Sequence, residues 1–139
     1  MTSVKLAPAY VLHARPFRET SLLLDVFTCD HGRISLIAKG AKRAKSTKSA
    51  LLQPFSAITI SWCGRSDLQT LTHVEARQVS KRLMGKALLC GLYINELLIK
   101  LLHRHDPYTR LFHAYEQLIK QLIETNDLEI SLRVFELQL

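Results

Sequence analysis

Between Arg33 and Lys48 the chain carries six cations, Arg33, Lys39, Lys42, Arg43, Lys45 and Lys48, and the wider stretch from His31 to Ser66 holds no acid. That is the pattern needed to track a phosphate backbone, where each Lys or Arg that neutralises a phosphate releases a condensed counterion. Arg15, Arg18 and Arg65 are expected in other loops of the same half, where they would extend one positive field. Rings on which bases can stack are few: Phe17, flanked by arginines, and Tyr10 and Trp62, both expected in the core. A basic, stacking-poor surface predicts salt-sensitive binding that is indifferent to base sequence. The plain alternative for such a run is a solvated loop.

Other chemistries find less support. A phosphate-binding loop of the Walker kind needs a glycine directly before its lysine, but Ala44 precedes Lys45 and Ser46. His103 and His105 are two residues apart and so diverge on a helix, and no third ligand follows at a diagnostic spacing; they read as a wet helix C-terminus. No serine sits in a GxSxG elbow, and no pair of carboxylates stands where their pKa values would be driven apart. The expectation is therefore no enzyme, no catalytic residue, no metal and no cofactor. Asn95 and Glu96 interrupt an apolar stretch, and polar groups in such a place are expected to clamp a neighbouring backbone or side chain.

The chain has 139 residues, 47% hydrophobic and 22% charged, with a net charge of +7. These are globular values, and the excess of cations points to an anionic partner. Even the richest apolar stretch, Ala87 to Ile99, falls short of the ~18 residues a membrane span needs, and no secretory signal opens the chain. The cytoplasm is the default compartment. Cys29, Cys63 and Cys90 are too widely spaced for a disulfide framework or a zinc pair and are expected to be small buried hydrophobes.

The type of hydrophobic repetition changes near Ser80. Residues 1–80 carry a net charge of +6 and residues 81–139 only +1. In the first part, alternation with period two predicts strands around Tyr10–Ala14, Leu22–Val26, Ile34–Ala38, Ile58–Trp62 and Leu68–Val74, with turns at Asp30-His31-Gly32 and Gly64-Arg65-Ser66-Asp67. Five strands without intervening helix predict a small antiparallel barrel, an all-β OB-fold, over residues 1–80. In the second part, Ala87–Leu102 is apolar on more than one face, as for a helix flanked on two sides. Leu111 to Ile123 follows the spacing of an amphipathic helix, with Asp106 as cap and Pro107 as first residue. Asn126 with Glu129 forms a capping-box-like start for a third helix. The last helix ends on large apolar side chains, so the all-α helical domain over 81–139 is expected to be incomplete and the chain to be the front part of a longer one.

Four blocks carry a resemblance: His13-Ala14-Arg15-Pro16-Phe17-Arg18-Glu19-Thr20-Ser21-Leu22-Leu23-Leu24-Asp25-Val26-Phe27-Thr28, Leu36-Ile37-Ala38-Lys39-Gly40-Ala41-Lys42-Arg43, Leu52-Gln53-Pro54-Phe55 and Gly91-Leu92-Tyr93-Ile94-Asn95-Glu96-Leu97-Leu98. In this order they resemble the bacterial RecO recombination-mediator family. The resemblance implies an N-terminal OB-fold that binds single- and double-stranded DNA, followed by a helical domain. It implies a non-enzymatic role in DNA repair and recombination: annealing complementary strands and, with RecR, helping RecA replace single-strand binding protein (SSB). It also implies that Lys39, Lys42, Arg43, Lys45 and Lys48 form the DNA-binding loop, and that the helical half receives the acidic-apolar tail of SSB. Leu132, Arg133 and Phe135 are the expected site for that tail. An OB-fold RNA-binding protein and a protein adaptor that binds no nucleic acid are the alternatives.

Overall fold

The computed structural model describes residues 2–43, 46–78, 81–124 and 127–139. The strands are β1 (Thr2–Phe17), β2 (Ser21–Thr28), β3 (Gly32–Ala38), β4 (Ile58–Gly64) and β5 (Leu68–Ala76), with a single-turn helix α1 (Lys48–Leu51) between β3 and β4. Three helices follow: α2 (Gly85–Leu101), α3 (Thr109–Glu124) and α4 (Leu128–Glu136). The strands close into a barrel in the order β1-β2-β3-β5-β4, which is the OB-like architecture expected. The Ser80 boundary and the Asn126 cap fall outside the described residues.

Period two is visible in β2, β3 and β4 because one face of each points into the barrel: Leu24, Val26, Ile34, Leu36, Ile58, Ile60 and Trp62 form its core. β1 runs well beyond the expected Tyr10–Ala14. Its first part pairs with β4 and its second with β2, with register shifts between Val4 and Ala7 and between Val11 and His13 that let one strand serve both neighbours. At the first shift Leu6 takes a left-handed backbone (φ 55°) and its N–H donates to Ser61 Oγ at 2.9 Å. The all-antiparallel expectation fails at one seam. β3 and β5 pair in parallel over Ser35–Ile37, and this short ladder closes the barrel and removes its edges.

A second core lies outside the barrel wall. Tyr10, Leu12, Phe27, Phe55 and Ala57 face away from the interior and pack on Ile94, Leu98, Phe112, Tyr115, Ile119 and Phe135 of the helices. The rings of Tyr10 and Tyr115 meet edge to face with centroids 5.1 Å apart, as do Phe27 and Phe112 at 5.3 Å. Strand β1 is therefore apolar on both faces: Ala9 and Val11 look inward while Tyr10 and Leu12 look towards the helices. Gly91 permits this approach, since a Cβ there would stand 2.7 Å from the Phe55 ring.

Polar groups lock the seam. Asn95 is 2% exposed; its Nδ2 donates to the Leu12 carbonyl at 3.1 Å and its Oδ1 accepts from the Tyr115 hydroxyl at 2.6 Å. The expected clamp is thus Asn95 alone. Glu96 is exposed and pairs with Lys100 one turn along its own helix. Arg77, just after β5, pairs with Glu116 of α3, which also accepts from the Tyr10 hydroxyl. Helix α3 begins at Thr109 instead of Pro107, with the Tyr108 carbonyl accepting the Phe112 N–H. The displaced residues 103–106 instead lie against the barrel, where Gly32 (φ +74°) is so close that a Cβ would sit 2.2 Å from the Asp106 carbonyl oxygen. The α4 cap is Asp127, whose carboxylate accepts from the Ile130 N–H.

Helix α2 shows the opposite side to solvent in part: Leu89 is 67% exposed, and Leu92 and Tyr93 are half exposed. The described residues cover one flank of this helix rather than the two that its pattern predicts.

Candidate nucleic-acid interface

The basic loop is wound, and its winding follows from two small residues. The Ala41 N–H donates to Ala38 O (3.4 Å) and the Arg43 N–H to Gly40 O (3.1 Å), so the chain leaves β3 in two successive turns. Gly40 supplies the left-handed backbone (φ +72°) that the first turn needs. Ala41 is fully buried and anchors the loop, and the Lys42 N–H donates to Thr20 O at 3.0 Å, tying it to the β1–β2 connection. With its backbone held inward, the loop turns Lys39, Lys42 and Arg43 out to solvent. Lys48 is half-buried at the start of α1, its N–H donating to Ser46 Oγ. Lys45 lies outside the described residues.

The pairing of Leu22 with Ala38 puts the β1–β2 connection and the basic loop at one end of the barrel. Between them lies an open hollow of about 460 Å³, lined by Phe17, Arg18, Ile37, Lys39 and Arg43, with Glu19 as the acid among the lining residues. Arg18 takes a left-handed backbone (φ 56°), and its guanidinium lies 5.2 Å over the Phe17 ring. None of Arg15, Arg18, Lys39, Lys42, Arg43 and Lys48 is engaged in an ion pair among the described residues. Their charge is available to an outside anion.

Arg15 lines an adjoining hollow of about 160 Å³ on the outer face of β1, β2 and β3, together with His13, Asp25, Ser35 and Arg104. Arg104 has no counterpart in the reading of the basic half. It follows α2, forms an isolated bridge with Arg33 and hydrogen-bonds through its guanidinium to Ser35, so the helical half contributes a cation to the barrel face. Burial pushes the Asp25 carboxyl above the ordinary carboxylate range, against the pull of Arg33 and Arg104.

Arg33 requires a correction. It is 9% exposed, its guanidinium pairs with Asp25 at 2.7 Å, its Nε donates to the Leu102 carbonyl that ends α2, and its own carbonyl accepts from His105 N–H. A buried cation with its Nε and Nη1 engaged in this way is a fastening between barrel and helices and is not presented to an outside phosphate. Arg65 is exposed, but Leu68 pairs with Ser35, so the β4–β5 turn lies beyond the Gly32 end of β3, away from the basic loop. The structure therefore brings together Arg15, Arg18, Lys39, Lys42 and Arg43 and leaves Arg65 apart.

Leu132, Arg133 and Phe135 do not share a groove. Phe135 is 3% exposed and its ring packs on Tyr115 as part of the core, so it is unavailable to a partner. Leu132 lines a cleft between α2 and α4, and Arg133 is exposed with its guanidinium bonded to Glu136 at 2.8 Å. Among the cysteines only Cys29 is buried; Cys63 and Cys90 are half-buried, and all three are free. Burial and the nearby Asp30 push the Cys29 thiol up, and its Sγ lies 3.9 Å from His113 Nε2. Among the described residues no group of three or more His, Cys, Asp or Glu could hold a metal ion, and no helix is long and apolar enough to cross a membrane.

Residues 1–79 match the model of the family described as recombination protein O N terminal, and residues 82–139 match that described as recombination protein O C terminal. The chain is 51% identical over 136 residues to the DNA repair protein RecO of Methylococcus capsulatus, covering 98% of this chain and 56% of that protein. It is 50% identical to that of Coxiella burnetii, with 98% and 58% covered, and 50% identical to that of Polynucleobacter asymbioticus, with 100% and 59% covered. The chain thus spans somewhat more than half the length of these relatives. Both matched segments, an OB-like barrel and the helices fastened to it, establish that the chain belongs to the RecO family.

Proposed function

We propose that this chain acts in DNA repair and recombination as a non-enzymatic mediator that binds single- and double-stranded DNA by charge and promotes annealing of complementary strands. The observation that carries this reading is the set of ion-pair-free cations, Arg18, Lys39, Lys42 and Arg43, gathered at one end of the barrel by the Lys42-to-Thr20 hydrogen bond. Annealing needs no bond-making side chain. Two anionic strands repel; a cationic surface collects both and leaves their pairing edges free.

RecR and SSB are the protein partners in this reading, with RecA benefiting when SSB is displaced. An acidic-apolar tail needs cations beside exposed apolar surface. Arg133 remains a candidate cation, but the hollow of about 320 Å³ in which the exposed Lys81 and Arg82 stand beside the half-buried Leu88 and the exposed Leu92, above the buried Phe55 and Leu83, supplies the same chemistry with no acid among its lining residues. The α2–α4 cleft beside Leu132 fits less well, because Asp127 and Glu129 line it along with Lys86.

The deciding experiment is annealing of SSB-coated complementary oligonucleotides with and without this chain. Acceleration without nucleotide is expected; a requirement for ATP, or no acceleration, refutes the reading.

A further inference from the structure

Of the five Phe, Tyr and Trp rings in residues 1–80, Tyr10, Phe27, Phe55 and Trp62 are each at most 9% exposed. Phe17 is the fifth, and it is half-buried, its ring more open to solvent than the other four. It stands at the last position of β1, in the wall of the 460 Å³ hollow, with Ile37 as an apolar neighbour and with Arg18, Lys39 and Arg43 around it. The hollow falls in the size range of sites for small organic groups, about 300–1,000 Å³. A half-buried ring beside Ile37, bordered by more cations than acids (Arg18, Lys39 and Arg43 against Glu19), matches the two needs of an unpaired nucleotide: a surface for the base and charges for its flanking phosphates.

We propose that Phe17 is a stacking platform for one unpaired base of single-stranded DNA, and that it distinguishes single strands from duplex at this interface. The inference rests on the DNA-binding reading and goes beyond its sequence-indifferent charge contacts. The guanidinium of Arg18 now occupies a face of the ring. An exposed cation–π contact is weaker than base–aromatic stacking, so the base takes its place and Arg18 turns to an adjacent phosphate. In a duplex the bases are already stacked on each other and Phe17 has nothing to receive.

The test compares three probes of equal length by fluorescence anisotropy with the 139-residue chain: a thymidine oligonucleotide, an abasic oligonucleotide with the same phosphates, and a hairpin duplex. Stacking of one base predicts that the parent binds thymidine roughly 5- to 150-fold tighter than the abasic strand. Phe17→Leu, which keeps an apolar side chain without the ring face, should abolish that preference while leaving abasic and duplex affinity and their salt slopes unchanged. Phe17→Trp should retain it. A thymidine preference that survives Phe17→Leu overturns the platform, and so does a parent that binds thymidine and abasic strands equally with a steep salt slope; the charge reading then stands alone. If instead Lys39→Ala/Arg43→Ala leaves the abasic salt slope unchanged, the interface itself is misplaced and the platform falls with it.

Discussion

Replacing Lys42 and Arg43 together by alanine should change the salt dependence of DNA binding by an amount that follows from their exposure. Both side chains are exposed and engaged in no ion pair among the described residues, while the Lys42 backbone N–H, not its ammonium, ties the loop to Thr20. Truncation therefore removes charge without unfastening the turn. Each phosphate left without its cation should flatten the plot of log K against log salt by ~0.7 for a single strand and ~0.9 for a duplex. The double variant should then lose ~1.4 and ~1.8 in slope. With the non-electrostatic part unchanged, a slope loss of 1.4 amounts to roughly 25-fold weaker binding at ~0.1 M salt, close to 2 kcal/mol. Arg33→Ala is the internal control. It removes one cation from the same stretch, but that guanidinium is buried against Asp25 and the end of α2. It should cost about 3–5 kcal/mol of stability and, where the protein is still folded, leave the salt slope as it was. Anisotropy titrations over a salt series and thermal melts measure both. A slope unaltered in the double variant, or flattened in Arg33→Ala, refutes the assignment of which cations meet phosphate.

Asn95→Ala strands the Leu12 carbonyl and the Tyr115 hydroxyl at the buried seam, each at ~1–3 kcal/mol; a drop in melting temperature of ~10 °C is expected, and an unchanged melt would contradict the clamp. At Glu116, burial alone would raise the carboxyl, but the Arg77 bond and charge, with Tyr10 and Lys120, outweigh it and hold it below its ordinary value of 4.5. A depressed carboxyl stabilises the fold above that value, and the contribution fades as pH falls through the folded-state pKa. The stability gap between parent and Glu116→Gln, read by denaturant melts, should thus be widest near neutrality and close in acid; a gap that widens in acid would reverse the argument. Gly32→Ala should destabilise by more than 1 kcal/mol, because its φ is +74° and the added Cβ meets Asp106; a neutral effect on the melt would show that residues 103–106 do not rest on the barrel. Lys81→Ala/Arg82→Ala should weaken binding of a labelled acidic-apolar peptide about tenfold or more while Arg133→Ala does not, and the reverse order would return the tail to α4.

The strands, the long helices and the cation run are legible in the chain itself because each is a local property, and the number and spacing of the strands suggest a barrel. Alternation with period two reports which face of a strand is buried, and a stretch without acids is positive wherever it is placed. What tertiary structure alone decided are the partners. Arg33 reads like Lys39 in the sequence, yet the docking of α2 turned one into a buried fastening and left the other in solvent. Arg104 reached the barrel face from the far half, and Phe135 became core when α4 packed on Tyr115. The parallel β3–β5 seam arose from barrel closure. Each of these depends on which residues distant along the chain come to share a surface, and neither periodicity nor charge along a single segment carries that information.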